Sequence, residues 1–189
     1  VHGLPNINAG TDQAICEGTS TTLTATGGST YTWDNNVVNG IPFTPTIGST
    51  TYTVTGQSAQ GCKNTDQVTI LVNSNPEPSF TGENLIGCKP LSVNFTNTTG
   101  TSGAECLWDF GDGTTGFGCN QVSHTYYQSG VYTVSLTVTD NIGCTGTYTE
   151  VNYVEVIPPA IADFSANPMD PSTIAPTVNF NNHSMHADE

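Results

Sequence analysis

Apolar residues recur at every second position over short stretches, and turn-forming residues fill the spaces between them. In the first part of the chain the alternation runs Leu23/Ala25, Tyr31/Trp33, Tyr52/Val54 and Val68/Ile70/Val72, each bounded by Gly, Asn, Ser or Pro. A period of two sends successive side chains to opposite faces of a strand, so each stretch predicts a short antiparallel strand with one buried face. The second part repeats the pattern with Leu91/Val93/Phe95, Trp108/Phe110 and Tyr132/Val134/Leu136/Val138. In the last of these, Thr133, Ser135, Thr137 and Thr139 hold the alternate positions and are expected to face solvent. No stretch carries apolar residues at helical spacing, so the fold class expected is all-β, with tandem immunoglobulin-like β-sandwiches.

Two Pro-bearing breaks, Asn73-Ser-Asn-Pro-Glu-Pro78 and Ile157-Pro-Pro-Ala160, divide the chain. They predict modules over residues 1–75 and 76–157 and a shorter segment over 158–189. Phe80 followed by Pro90-x-x-Val93-Asn-Phe95 recurs as Phe164 followed by Pro176-x-Val178-Asn-Phe180, at offsets of 84 and 85 residues. A period of that size marks an array of whole domains, so the last segment is expected to hold the first two strands of a truncated module and the parent protein to be longer. Two strands cannot close a core alone, so the segment should fray or borrow a neighbour by strand addition.

Charge narrows the partners. Lys63 and Lys89 stand against 16 acidic residues, a net charge of −14, which leaves no cationic surface for nucleic acid. The apolar runs fall well short of the ~20 residues a spanning helix needs, so no membrane insertion is expected. Residues 1–30 lack a basic n-region and an apolar h-region, so an export signal is expected to be cleaved or to lie upstream. The cysteines Cys16, Cys62, Cys88, Cys106, Cys119 and Cys144 contain no C-x-x-C pair, which favours disulfides over zinc and an oxidising, extracellular address. If each bridge stays within its module, Cys16 pairs with Cys62 and the other four have three arrangements. Cys106 lies just before Trp108 and Cys119 just before the stretch with His124 and Tyr126, so joining them clips a short loop, and Cys88 and Cys144 then join the module's ends. Chain entropy values the short bridge at roughly 3 kcal/mol and each long one at roughly 4, so reduction is expected to cripple the fold.

Candidate chemistry is sparse. Asp109 and Asp112 form the obvious carboxylate pair, but tight-turn aspartates are solvated, whereas acid catalysis needs one acid held protonated in a cleft. No catalytic role and no cofactor is assigned. Calcium is the metal that the turn oxygens of Asp34, Asn35, Asp109, Asp112, Asp140 and Asn141 would suit, with Asp109, Asp112 and Asp140 as its candidates, although no EF-hand loop is present. His124 is read as a strand residue whose ring nitrogen satisfies a turn. His183 and His186 have the spacing to share a metal on a helix, but Pro171 and Pro176 argue against a helix there. Among the aromatics that could stack on sugar, Trp33, Trp108, Tyr126, Tyr127 and Phe117, both tryptophans alternate with polar residues as core positions do, leaving Phe117 and Tyr127 for the surface. The sequons at Asn94, Asn97 and Asn182 are expected by chance in an Asn/Thr-rich chain.

Trp108-Asp-Phe-Gly-Asp-Gly113, followed by Ser123-His-Thr-Tyr126, Gly130-Val-Tyr-Thr-Val134 and Leu136-Thr-Val-Thr-Asp140, resembles the PKD (polycystic kidney disease) domain family. In physical terms Trp108 and Phe110 should enter the sandwich, Asp109 should face away, and Gly111-Asp112-Gly113 should supply the turn. The flanks Gly87-Cys88-Lys-Pro-Leu-Ser-Val-Asn-Phe95 and Asp140-Asn-Ile-Gly-Cys144 look like the cysteine-bearing variant of secreted Bacteroidetes proteins. Ile15-Cys-Glu-Gly18, Leu23-Thr-Ala-Thr-Gly-Gly28, Tyr31-Thr-Trp33, Phe43-Thr-Pro45, Tyr52-Thr-Val54 and Gly61-Cys62 look like the Ig-like modules found beside them. The resemblance implies display rather than chemistry: the repeat region of a type IX-secreted cell-surface adhesin or stalk, as in gliding-motility adhesins of the SprB kind. The alternatives it leaves are an accessory region of a secreted polysaccharide- or protein-degrading enzyme and a subunit of an extracellular fibre. The type IX route is implied only by the company that such modules keep. The partners implied are neighbouring modules of the same chain and surface polysaccharide or other cell-surface proteins.

Overall fold

A computed structural model gives the fold, described for residues 3–100, 105–167 and 179–185. The expectations for Pro171, Pro176, Val178 and His186 lie outside the described residues. By compactness the chain divides into two units, one of residues 1–77, 100–105 and 138–146, the other of 78–99, 106–137 and 147–189. The described residues form strands and turns throughout, with the layers of immunoglobulin-like β-sandwiches.

The first sandwich contains β1 (Gln13–Cys16), β2 (Thr21–Thr22), β3 (Thr30–Trp33), β4 (Pro42–Phe43), β5 (Gly48–Gln57) and β6 (Lys63–Asn73). One sheet runs β1-β6-β5-β3, and β2 pairs with β4 in the other layer. The long antiparallel pair β5/β6 runs from Gly48 opposite Val72 to Gln57 opposite Lys63 and carries Tyr52, Val54, Val68, Ile70 and Val72 inward. Trp33, Leu23, Ala25, Ile7, Ala9 and Val37 complete that core, and the Phe43 ring meets Tyr52 edge-on at 5.4 Å. Leu23 and Ala25 are buried as their alternation requires, yet they lie beyond the end of β2. The Ala25 N–H is diverted from a strand ladder to the Asn39 side-chain oxygen, 2.8 Å away, which also accepts the Trp33 indole N–H at 3.0 Å.

The second sandwich contains β7 (Phe80–Glu83), β8 (Ile86–Cys88), β9 (Leu91–Asn97), β10 (Glu105–Asp109), β11 (Thr115–Phe117), β12 (Gln121–Tyr126), β13 (Gly130–Thr139) and β14 (Thr145–Ile157). Its sheets run β11-β10-β13-β14-β8 and β12-β9-β7. Between them lie Phe80, Val93, Phe95, Trp108, Phe110, Tyr126, Val134, Leu136, Val138, Val154 and Val156. Phe80 and Phe95 approach Trp108 at ring separations of 5.1 and 5.7 Å. Such aromatic pairs add about 0.5–1.5 kcal/mol each beyond the area they bury. Thr133, Ser135, Thr137 and Thr139 are half-buried rather than exposed. Strand β13 is central in its sheet, so side chains of both neighbours shade its outer face; the Thr137 hydroxyl lies 2.8 Å from that of Thr147. Beyond this sandwich, β15 (Phe164–Asn167) and β16 (Asn179–Asn182) pair antiparallel in a two-stranded sheet that leaves Phe164 and Phe180 about two-thirds exposed.

Sulfur connectivity departs from the expectation that bridges stay within modules. Cys106 is bonded to Cys119, but Cys16 is bonded to Cys144, 128 residues away, and Cys62 and Cys88 are free thiols. Register explains the correction. Cys16 lies opposite Asn73 at one end of β6, whereas Cys62 immediately precedes Lys63 at the other. At ~3.3 Å per residue the two ends are ~33 Å apart, against a Cα separation below ~7 Å for a disulfide. Cys88 lies opposite Ile157 at the end of β14, and Cys144 immediately precedes Thr145 at its start, which separates them by ~40 Å. Neither Cys16 with Cys62 nor Cys88 with Cys144 can close.

Candidate functional site

The residues singled out by sequence converge on one corner of the second sandwich. Strand β10 sends Trp108 inward and leaves Asp109 exposed, and Phe110, the residue after the strand, is buried as well. The Trp108 indole N–H donates to the Gly118 carbonyl at 2.9 Å. After Phe110 the backbone turns through Gly111 and Gly113, at φ +79° and +89°. A Cβ at Gly111 would lie 2.3 Å from the Thr133 carbonyl oxygen, so both handedness and space demand glycine there. The Asp109 carboxylate accepts the Gly111 N–H at 2.9 Å, and Asp112 accepts the Thr114 N–H at 3.0 Å and its hydroxyl at 2.6 Å.

His124 and Tyr126, on β12, close the turn from the opposite layer. The His124 ring stacks on Phe110, centroids 4.1 Å apart, and its Nε2 lies 2.7 Å from the second Asp112 carboxylate oxygen. The Tyr126 hydroxyl donates to the Phe110 carbonyl at 3.0 Å. Burial works against ionisation of Asp112, but hydrogen bonds from the Thr114 hydroxyl, the His124 ring and the Thr114 N–H, with the imidazolium charge, outweigh it and hold the carboxyl below its ordinary range. Burial, followed by the nearby charge of Asp112, raises the Tyr126 phenol and keeps it neutral as a donor.

These contacts spend the polar atoms of the motif on the turn itself. The Thr114 hydroxyl also lies 3.5 Å from His124 Nε2, but it donates to Asp112 at 2.6 Å and so is engaged in the same turn. The calcium candidates are likewise engaged locally: Asp140 accepts the N–H groups of Ile142, Gly143 and Cys144, each at 2.9 Å. Among the described residues no three His, Cys, Asp or Glu side chains are grouped to hold a metal ion. Asp34 takes the Thr53 N–H at 2.9 Å, and the Asn35 amide donates to that same carboxylate at 3.3 Å. The His183 ring lies 3.0 Å from the Ser165 hydroxyl across the β15/β16 pair. Phe117 and Tyr127 are 80% and 71% exposed, the surface position expected of them.

Sequence reasoning missed a second set of structural acids. Asp12 accepts the Thr69 N–H at 2.7 Å and Asp66 the Ala9 N–H at 2.8 Å, each joining segments 57 residues apart. Together with Asp34 they place much of the acidity of the first sandwich at strand edges, where carboxylates replace ladder acceptors.

Residues 73–156 match the family described as PKD domain. Among curated proteins the chain is similar to a microbial collagenase of Vibrio alginolyticus, 36% identical over 95 residues that make up 48% of this chain and 11% of the collagenase. The chain thus spans about a tenth of the length of that relative. Among solved structures it is similar to the PKD1 domain of Vibrio anguillarum Epp, with 35% identity, 45% of this chain and 99% of that one covered, and a TM-score of 0.38. The N-terminal eight Ig domains of Down Syndrome Cell Adhesion Molecule match at 15% identity over 82% of this chain and 28% of that one, with a TM-score of 0.50, a likeness of fold.

Proposed function

Given that residues 73–156 belong to the PKD domain family, we propose that the chain is a non-catalytic extracellular spacer, part of the repeat region of a surface adhesin or stalk that holds adhesive sites away from the cell. The observation that carries this reading is the Cys16–Cys144 bond. It ties parts of the array that are distant in sequence a second time, by sulfur as well as by backbone, which suits a load-bearing element and serves no chemical step. The corner at Trp108–Gly113 supports it, since its carboxylates and ring nitrogen are spent on the turn. The disulfides support an address outside a reducing compartment. Neighbouring modules are its nearest partners, with surface polysaccharide or other surface proteins reached by the sites it presents.

The similarity to a collagenase favours a second reading, an accessory region of a secreted degradative enzyme, in which Phe117 and Tyr127 would contact the polymer. Sedimentation of the purified chain with insoluble collagen, cellulose and chitin separates the two. The spacer leaves the chain in the supernatant, as an inert control protein is left. Retention on one polymer, abolished in Phe117→Ala or Tyr127→Ala, would replace the spacer by the accessory reading.

A further inference from the structure

The two free thiols occupy positions that repeat the two halves of an existing bond. Cys16 ends β1, a strand paired parallel to the last strand of its sandwich, and the next residue, Glu17, donates its N–H to the Asn73 carbonyl at 2.8 Å. Cys88 ends β8, which pairs parallel to β14, and the next residue, Lys89, donates to the Ile157 carbonyl at 3.3 Å. Cys16 and Cys88 are therefore the same strand-end position in two sandwiches.

The other two cysteines match as closely. In the turn before β14, the Asp140 N–H donates to the Cys144 carbonyl at 2.9 Å and the Gly143 N–H to the Asp140 carbonyl at 3.1 Å. In the turn before β6, the Ser58 N–H donates to the Cys62 carbonyl and the Gly61 N–H to the Ser58 carbonyl, both at 2.9 Å. Each cysteine follows a glycine of positive φ, +99° at Gly143 and +85° at Gly61. Each also has its own N–H held by the first side chain of the turn, Asp140 at 2.9 Å and Ser58 at 3.2 Å. Cys62 and Cys144 are the same turn position.

The structure thus contains one bond of the type strand-end to turn, Cys16 to Cys144, and one unused half of each kind. Cys88 is exposed and Cys62 partly so, residues 158–189 hold no cysteine, and the ~40 Å and ~33 Å separations found above bar each thiol from the opposite end of its own sandwich. We propose that Cys88 and Cys62 are open ends of a sulfur-linked series: Cys88 bonds the turn cysteine of another module of this kind, and Cys62 bonds the strand-end cysteine of another. Each bond joins two Sγ atoms, and the two protons and two electrons released pass to a disulfide oxidant, which leaves as two thiols. An unpaired cysteine in an oxidising compartment fits such a link between modules. This goes beyond the spacer reading and holds equally for an accessory region.

A second copy of the chain supplies both kinds of partner. Cys62→Ser keeps only the strand-end thiol and Cys88→Ser only the turn thiol, with Cys16–Cys144 and Cys106–Cys119 intact in both. Each variant and their equimolar mixture are incubated with oxidised glutathione and run without reductant. Neither variant alone should form more than traces of dimer, the mixture should give at least about tenfold more, and peptide mass spectrometry should find Cys62 joined to Cys88. Equal dimer from one variant alone would show indiscriminate thiol collision and overturn the proposal. So would a mixture that stays monomeric, whether its thiols are found reactive or blocked by an aromatic disulfide reagent. Circular dichroism confirms that both variants fold, and Cys→Ala replaces Cys→Ser if one does not.

Discussion

Gly111 shows how much one residue carries. Its φ of +79° lies in the left-handed region, and a side chain there would strike the Thr133 carbonyl of β13. Gly111→Ala should destabilise the second sandwich by about 1–3 kcal/mol, the range for forcing a non-glycine residue into such a conformation, as read from urea unfolding midpoints. Asp112 acts through charge. Its pKa is lowered in the folded state, so the stability it adds is present above the unfolded-state carboxylate pKa, near ~3.9, and is lost as pH falls through the lower folded value. The side chain touches solvent, so the contribution is at most about 1 kcal/mol. Unfolding curves of the wild type and Asp112→Asn should differ at pH 5–7 and converge as pH drops below ~4; a gap that widens in acid would contradict the assignment. The motif as a turn device was legible because Trp, Phe, Asp and Gly each have one plausible place in a tight corner. Asn39 was not, because an exposed-looking amide in a polar loop carries no sign that a distant indole and a diverted N–H need its oxygen.

Among elements, the strands written as strict alternation formed where an adjacent long strand could receive them. β5, β6, β9 and β13 bury the apolar residues that the period-two reading named, except Tyr132, which is half-buried. Leu23 and Ala25 show the limit, because alternation reports which side chains are buried and not whether the backbone finds a ladder partner. The same distinction predicts uneven local stability. β13 has hydrogen-bonded neighbours on both sides, and Val134, Leu136 and Val138 on it are fully buried. Among the described residues β15 and β16 pair only with each other, with Phe164 and Phe180 exposed at 66% and 69%. Hydrogen exchange should therefore release the β15/β16 amides orders of magnitude sooner than those of Val134–Val138, which should exchange only through global opening. Comparable protection in the two would mean that something covers the open face of the hairpin in solution.

At the scale of the whole molecule the covalent path was the part least legible, for a geometrical reason. Spacing along the chain assigns cysteines to modules, but a sandwich has two ends, and a strand of ten or more residues separates them by more than ~30 Å. The signal that could have resolved it was present: Gly61-Cys62 and Gly143-Cys144 each sit in the turn between two long alternating stretches, while Cys16 and Cys88 each precede the first buried strand of their block. Cysteines of unlike context lie at opposite ends of one module, so a bond between a strand-end and a turn cysteine has to join different modules. The chain carries a built-in test. Arg is absent and Lys89 precedes Pro90, so trypsin cuts only after Lys63, giving residues 1–63 and 64–189. Pairing within modules would leave Cys16 and Cys62 in one fragment and Cys88 and Cys144 in the other, and the fragments would separate without reductant. The Cys16–Cys144 bond crosses the cut. After alkylation of the free thiols and digestion in urea, the chain should therefore run as one species until a reductant is added and as two afterwards. Separation before reduction would return Cys16 to its own module and remove the basis for the sulfur-linked series.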